Sequence, residues 1–280
     1  MHLMAILIVL TVVWLVRQAK VSSTGSWLER WRRSLFLLLF PPLLLLTTAI
    51  AIMYMGCGGA MLGIKAGWLG YSLSAGFLIF TGCCLLNLVD QGDRSLSKLA
   101  SYEQTLIDGT TARILELDFP YSAQIGFWNS ELVISRGLLT VLDEEHLAAV
   151  FAHEQAHVHY RDTFWFFWLG WMRSFTYWLP NTELLWQELL LLRELRADRQ
   201  AAQHIDRLLL AESLLTLAKA PFEFSIALCA NFSYPVTGDR LNERIDFLLA
   251  EAEPIPTTRW QNWSWICLLF LPLLTIPLHY

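Results

Sequence analysis

Charge is what this 280-residue chain has least of: 16% of its residues are Asp, Glu, Lys or Arg, against 55% hydrophobic. Together with a positive mean hydropathy, that scarcity argues against one large soluble core and points to a bilayer. Long basic tracts are absent and the net charge is −5, which counts against a nucleic-acid partner. No Cys-x-x-Cys pair occurs among Cys57, Cys83, Cys84, Cys229 and Cys267. Neither a disulfide framework nor a cysteine zinc site is indicated, and four of the five lie in apolar stretches, where small buried side chains are expected. Met1-His2 lacks the basic start of a secretory signal, so the first apolar run reads as a retained anchor.

What is present is a set of apolar runs. The first, residues 3–16, is short for a span. The second, 35–55, contains Pro41-Pro42, which predicts a kink. A third runs from 64 to 89 and a fourth from 263 to 278. Arg17, Lys20, Arg30, Arg32 and Arg33, opposed by Glu29, lie between the first two, whereas from the second to the third there is Lys65 alone, at the third run's very start. The positive-inside rule places loop 17–33 in the cytoplasm. Three transmembrane helices over 1–89 then leave 90–262 cytoplasmic, and residues 263–280 form a last transmembrane helix. Residues 163–179 hold nine aromatic residues. Arg173 in their midst makes insertion costly, and aromatics favour the headgroup boundary. This stretch reads as an interfacial or half-inserted helix, paired as a hairpin with the leucine-rich run 184–192.

Between these runs lies His153-Glu154-Gln155-Ala156-His157. Strands are expected at 112–118, 124–128 and 132–135. Asp143 reads as the N-cap of a helix over 144–160, with Glu144 and Glu145 complementing its dipole. Residues four apart share a helix face, so His153 and His157 can hold one Zn²⁺ while Glu154 reaches the attacking water as general base. The plain alternative is a helix with two unrelated histidines. A catalytic zinc wants a third protein ligand. Glu194 and Asp198, four apart on a helix expected over 182–205, offer a ligand and a partner for a ligand histidine. Equally, beside Arg193, Arg196 and Arg199 they read as charges on a solvated face.

The succession of strand, glycine-containing strand, HExxH with Arg161-Asp162, aromatic segment and Glu-x-x-x-Asp resembles the membrane gluzincin metallopeptidases. It is similar in particular to the BlaR/MecR-type antirepressor family, on Phe127, residues 132–139, 153–157, 161–162, 178–180, Glu194, Asp198 and 241–248 with Arg244-Ile245. HtpX-like and prenyl-protein-protease-like membrane zinc proteases are the second resemblance. It implies an α-helical membrane protein with an α+β zincin-like protease domain, about four transmembrane helices and the interfacial aromatic helix. It also implies one Zn²⁺ on His153, His157 and Glu194, Glu154 as base and Asp198 behind a ligand histidine. An extended peptide would lie along an edge strand at 124–128, touching Gly126 and Phe127. The sensors carry a penicillin-binding domain after the last span, whereas this sequence stops at Tyr280, so β-lactam sensing is not implied.

The expected partners are the lipid bilayer and a protein or peptide substrate, with the site on the cytoplasmic side of a bacterial inner membrane. Oligomeric state is left open. Three functions compete: a regulatory endopeptidase cutting a repressor or itself, a quality-control protease for membrane proteins, and a silent signalling scaffold. His159, about 200° round the helix from His157, points away from the metal. His204 and Tyr234 receive no role.

Overall fold

The computed structural model of the chain describes residues 1–21, 24–61, 64–65, 67–107, 109–217, 238–250 and 264–278. It is mostly helical with a small mixed sheet, and its backbone divides into two compact units.

The first unit comprises residues 1–87, 171–189 and the described part of 254–280. Helix α1 (His2–Arg17) has 16 residues, about 24 Å at 1.5 Å per residue, against a hydrocarbon core of about 30 Å. Helix α2 (Trp27–Met55) starts at a capping box in which Ser26 and Glu29 satisfy each other's backbone N–H groups. It continues through Pro41 and Pro42 to Met55. Its start at Trp27 takes Arg30, Arg32 and Arg33 out of the basic loop expected at 17–33 and into a helix. Arg30 is buried there and donates from Nε to Glu188 Oε1 at 2.7 Å, a pairing that reading loop charge alone does not anticipate. Residues 64–65, assigned from hydropathy to the third run, pair instead as β2 (Ile64–Lys65) with β1 (Ala60–Met61). Helix α3 (Trp68–Leu99) follows and runs ten residues past the expected end at 89. Val13, Phe40, Leu44, Leu45, Leu179 and Leu269 form this unit's core. Among the described residues, α2 and α3 are the helices long and apolar enough to cross a membrane. The closing run is a 3-10 segment, Ser264–Phe270, followed by the short helix Leu271–Leu274.

The second unit, 88–170 with the described part of 190–253, holds the sheet. Strands β3 (Gln104–Ile107), β4 (Thr110–Leu115), β5 (Ser122–Ile125) and β6 (Glu131–Ser135) order as β3-β4-β6-β5. The pairs β3–β4 and β5–β6 are antiparallel and β4–β6 is parallel, so β3 and β5 are the edges. Sequence patterning missed β3. Alternation sorts the sheet's two faces: Leu115, Ala123 and Val133 enter one cluster with Leu99 and Tyr121, while Ala112, Leu132 and Ile134 meet Leu147 and Val150 of the next long helix. A short helix α4 (Arg136–Val141) leads to that helix, α5 (Glu144–Tyr160), which begins where Asp143 caps His146 N–H at 2.9 Å. Arg161, at φ 53° in the left-handed region, ends α5 and turns the chain into α6 (Asp162–Phe175). At 14 residues, or about 21 Å, α6 is too short to cross a bilayer alone. Helices α7 (Thr182–Ala201), α8 (Arg207–Leu217) and α9 (Gly238–Leu249) follow. Ala149, Ala201, Leu210, Leu214 and Leu248 bring α5, α7, α8 and α9 into one cluster.

His146 of α5 sits between Asp143 (Nδ1–Oδ1 2.7 Å) and Glu212 of α8 (Nε2–Oε2 3.3 Å). The hydrogen bond to Asp143 raises its pKa above 6.5 against the opposing effect of burial, and the hydrogen bond to Glu212 adds a smaller rise. A raised histidine pKa stabilises the fold fully below the unfolded value and loses that contribution as pH rises through the folded value. The Tm deficit of His146→Ala should therefore be largest near pH 5.5 and shrink towards zero well above neutrality, read by scanning calorimetry of both proteins across pH. A deficit independent of pH would contradict this pairing.

Candidate metal centre

Helix α5 projects His153 and His157 from one face because they stand four residues apart. Their Nε2 atoms lie 3.1 Å from each other, and Glu194 Oε2 of α7 lies 3.3 Å and 3.7 Å from them. All three ligand atoms fall within 4.8 Å of one another. Each imidazole is held from behind. His153 Nδ1 is 2.8 Å from Asp198 Oδ1, and His157 Nδ1 is 2.8 Å from Asp162 Oδ2. Ionised carboxylates only accept, so each Nδ1 carries a proton, which leaves Nε2 as the nitrogen that can offer its lone pair to a cation.

The surroundings are charged and buried. Asp198 is fully buried and takes a two-pronged bond from Arg244 of α9, Nε to Oδ2 at 2.8 Å and Nη2 to Oδ1 at 2.7 Å. The same guanidinium places Nη1 3.5 Å from Glu194 Oε2. Arg193 donates to Glu194 Oε1 at 3.0 and 2.8 Å, and Arg196 binds Asp162. Glu154, buried at 6% exposure, receives the Ser122 hydroxyl on Oε1.

Burial alone would lower the His153 pKa, but the charges of Asp198 and Glu194 outweigh it and push it up to about 10. His157 is raised likewise, burial opposing and Glu194 and Asp162 prevailing. Burial would raise the carboxylates; instead Arg193 and His157 hold Glu194 well below its usual range, and Arg244 and His153 hold Asp198 low. This negative field favours a cation at the two Nε2 atoms. The Nε2–Nε2 separation of 3.1 Å is close to the about 3.3 Å between donors held at about 2.0–2.1 Å from one tetrahedral zinc. Two imidazoles and a carboxylate are also a zinc-type donor set. The residues fit the metal.

The geometry thus gathers His153, His157, Glu194, Glu154 and Asp198. Gly126 and Phe127 lie just past β5. Gly126 has φ +150°, and a Cβ there would stand 2.3 Å from Asn129 O, so the turn demands glycine. Phe127 packs against Phe164 and Phe167 at 5.2 and 4.8 Å between ring centroids. His159 and His204 are exposed, and Tyr234 lies outside the described residues. Ser122, Asp162, Arg193 and Arg244 went unassigned from sequence. Asp162 and Arg244 lie in segments that carry the family resemblance, but no local periodicity tells which histidine or acid they meet.

A helix bearing HExxH, joined by an acid from a second helix beside a small mixed sheet, defines the zincin-like metallopeptidases. Residues 121–252 match the family model of Peptidase family M48. That match, over just under half of the chain, makes the segment similar to a metallopeptidase domain. No curated protein matches the chain.

Proposed function

We propose that this chain is a membrane-bound zinc endopeptidase of the BlaR/MecR-like kind, acting on the cytoplasmic side. The observation that carries the reading is the convergence of His153, His157 and Glu194 donor atoms, with Glu154 buried on the same helix. Zinc held by these three residues supplies a Lewis acid for the scissile carbonyl and brings the pKa of water towards about 7. Glu154 takes the proton from the attacking water and passes it to the leaving amine. Asp198 and Asp162 hold the ligand tautomers, Arg244 keeps Asp198 ionised at a fixed position, and Arg193 does the same for Glu194. The free edge of β5 accepts an extended peptide through main-chain hydrogen bonds, with Gly126 and Phe127 at its end.

Helices α2 and α3 support the bilayer as partner, and the basic residues near the start of α2 support the cytoplasmic side. A regulatory substrate, a repressor or the enzyme itself, is the favoured role; quality control of membrane proteins is the second. A silent scaffold would need neither a complete donor set nor Glu154. Sealed vesicles of both orientations, given casein outside, test the whole reading. Inside-out vesicles should cleave it, 1,10-phenanthroline should stop cleavage, and zinc should restore it. Cleavage by right-side-out vesicles would overturn the side, and cleavage insensitive to chelation would overturn the metal.

A further inference from the structure

We propose that Ser122 is the positioning residue of the general base, tying the substrate-binding strand to the orientation of Glu154; this rests on the reading of Glu154 as that base. Tyr121, Ala123 and Ile125 pack into the cluster around Leu99, Leu115 and Val133. Strand alternation then turns Ser122 to the opposite face, where its Oγ donates to Glu154 Oε1. Burying a carboxylate is costly unless it is hydrogen-bonded, and Glu154 is 6% exposed. Its other oxygen, Oε2, is buried with no hydrogen-bond partner among the described residues. The hydroxyl therefore does two things. It offsets part of the burial cost, and it selects which oxygen remains free for the water's proton. Because β5 is an edge strand, the strand that receives the peptide also sets the base.

Ser122→Val and Ser122→Thr separate hydroxyl from volume, since Thr and Val have the same shape and both suit a strand; Ser122→Ala removes the hydroxyl without adding bulk. The assay follows a quenched-fluorescent peptide drawn from a randomised library by cleavage with the wild-type protein. Loss of one hydrogen bond to a charged group predicts a kcat lower by roughly 10- to 100-fold in the Val and Ala variants. KM and zinc content should stay near wild type, and Thr should recover most of kcat. Infrared difference spectra supply a readout free of turnover. The carboxylate band that Glu154→Gln removes should shift in Val and Ala and return in Thr. Wild-type kcat in the Ala variant, equal losses in Thr and Val, or an unshifted band would each overturn the proposal. If Glu154→Gln itself remains active, the assignment of the base fails; if that variant is dead and Ser122→Ala is unimpaired, only the role of Ser122 fails.

Discussion

Glu154→Gln should lose peptide hydrolysis by about 10²–10⁴-fold in kcat, the usual worth of a positioned acid–base group, while keeping zinc. Gln matches Glu in shape and can still accept the Ser122 hydroxyl through its carbonyl oxygen. It cannot take a proton at neutral pH. The donor atoms of His153, His157 and Glu194 belong to other side chains, so the metal stays. Folding should not suffer, because a buried charge becomes a neutral amide. Mass spectrometry of cleavage products and metal analysis of the same preparation measure the two halves. Retained cleavage would sink the mechanism, and lost zinc would move Glu154 from base to ligand.

The second large effect concerns the third ligand. Glu194→Ala should weaken zinc binding by more than the roughly 10- to 100-fold that removal of an outer partner costs. Asp198→Asn should fall within that range. The difference follows from position: Glu194 Oε2 is 3.3 Å from the nearer Nε2, whereas Asp198 reaches His153 only at Nδ1. Asn keeps an oxygen for the imidazole N–H and so tests charge with less disruption. Ala at 198 would strand the buried Arg244 guanidinium, which is more strongly destabilising. Competition with a chromophoric chelator gives both affinities, and circular dichroism checks that α7 persists. Equal affinity in wild type and Glu194→Ala would remove Glu194 from the site.

Local order was largely legible. Helix α5 has the expected bounds, Glu144–Tyr160, with Asp143 as cap, because an acid-rich first turn and apolar positions every three or four residues are written in one short segment. Strand β6 nearly matches its expected range, 132–135. Strand β3 was missed because Gln104-Thr105-Leu106-Ile107 has too little alternation to stand out. Arg30 looked like a loop charge because charge counting says nothing of a carboxylate 158 residues later in the chain.

The sequence by itself determined that His153 and His157 share a face and that Glu154 accompanies them, since helical periodicity needs only neighbouring residues. It left Glu194 and Asp198 open between a metal site and a solvated surface. Tertiary structure excludes the solvated surface by burying both and turning Arg244 onto them from a helix more than forty residues on. It also set Asp162 behind His157 through one left-handed residue, and Ser122 against Glu154 across a strand and a helix. These pairings join distant segments, and only the packing of α7 and α9 with α5, and of β5 against the same helix, brings them within hydrogen-bonding reach.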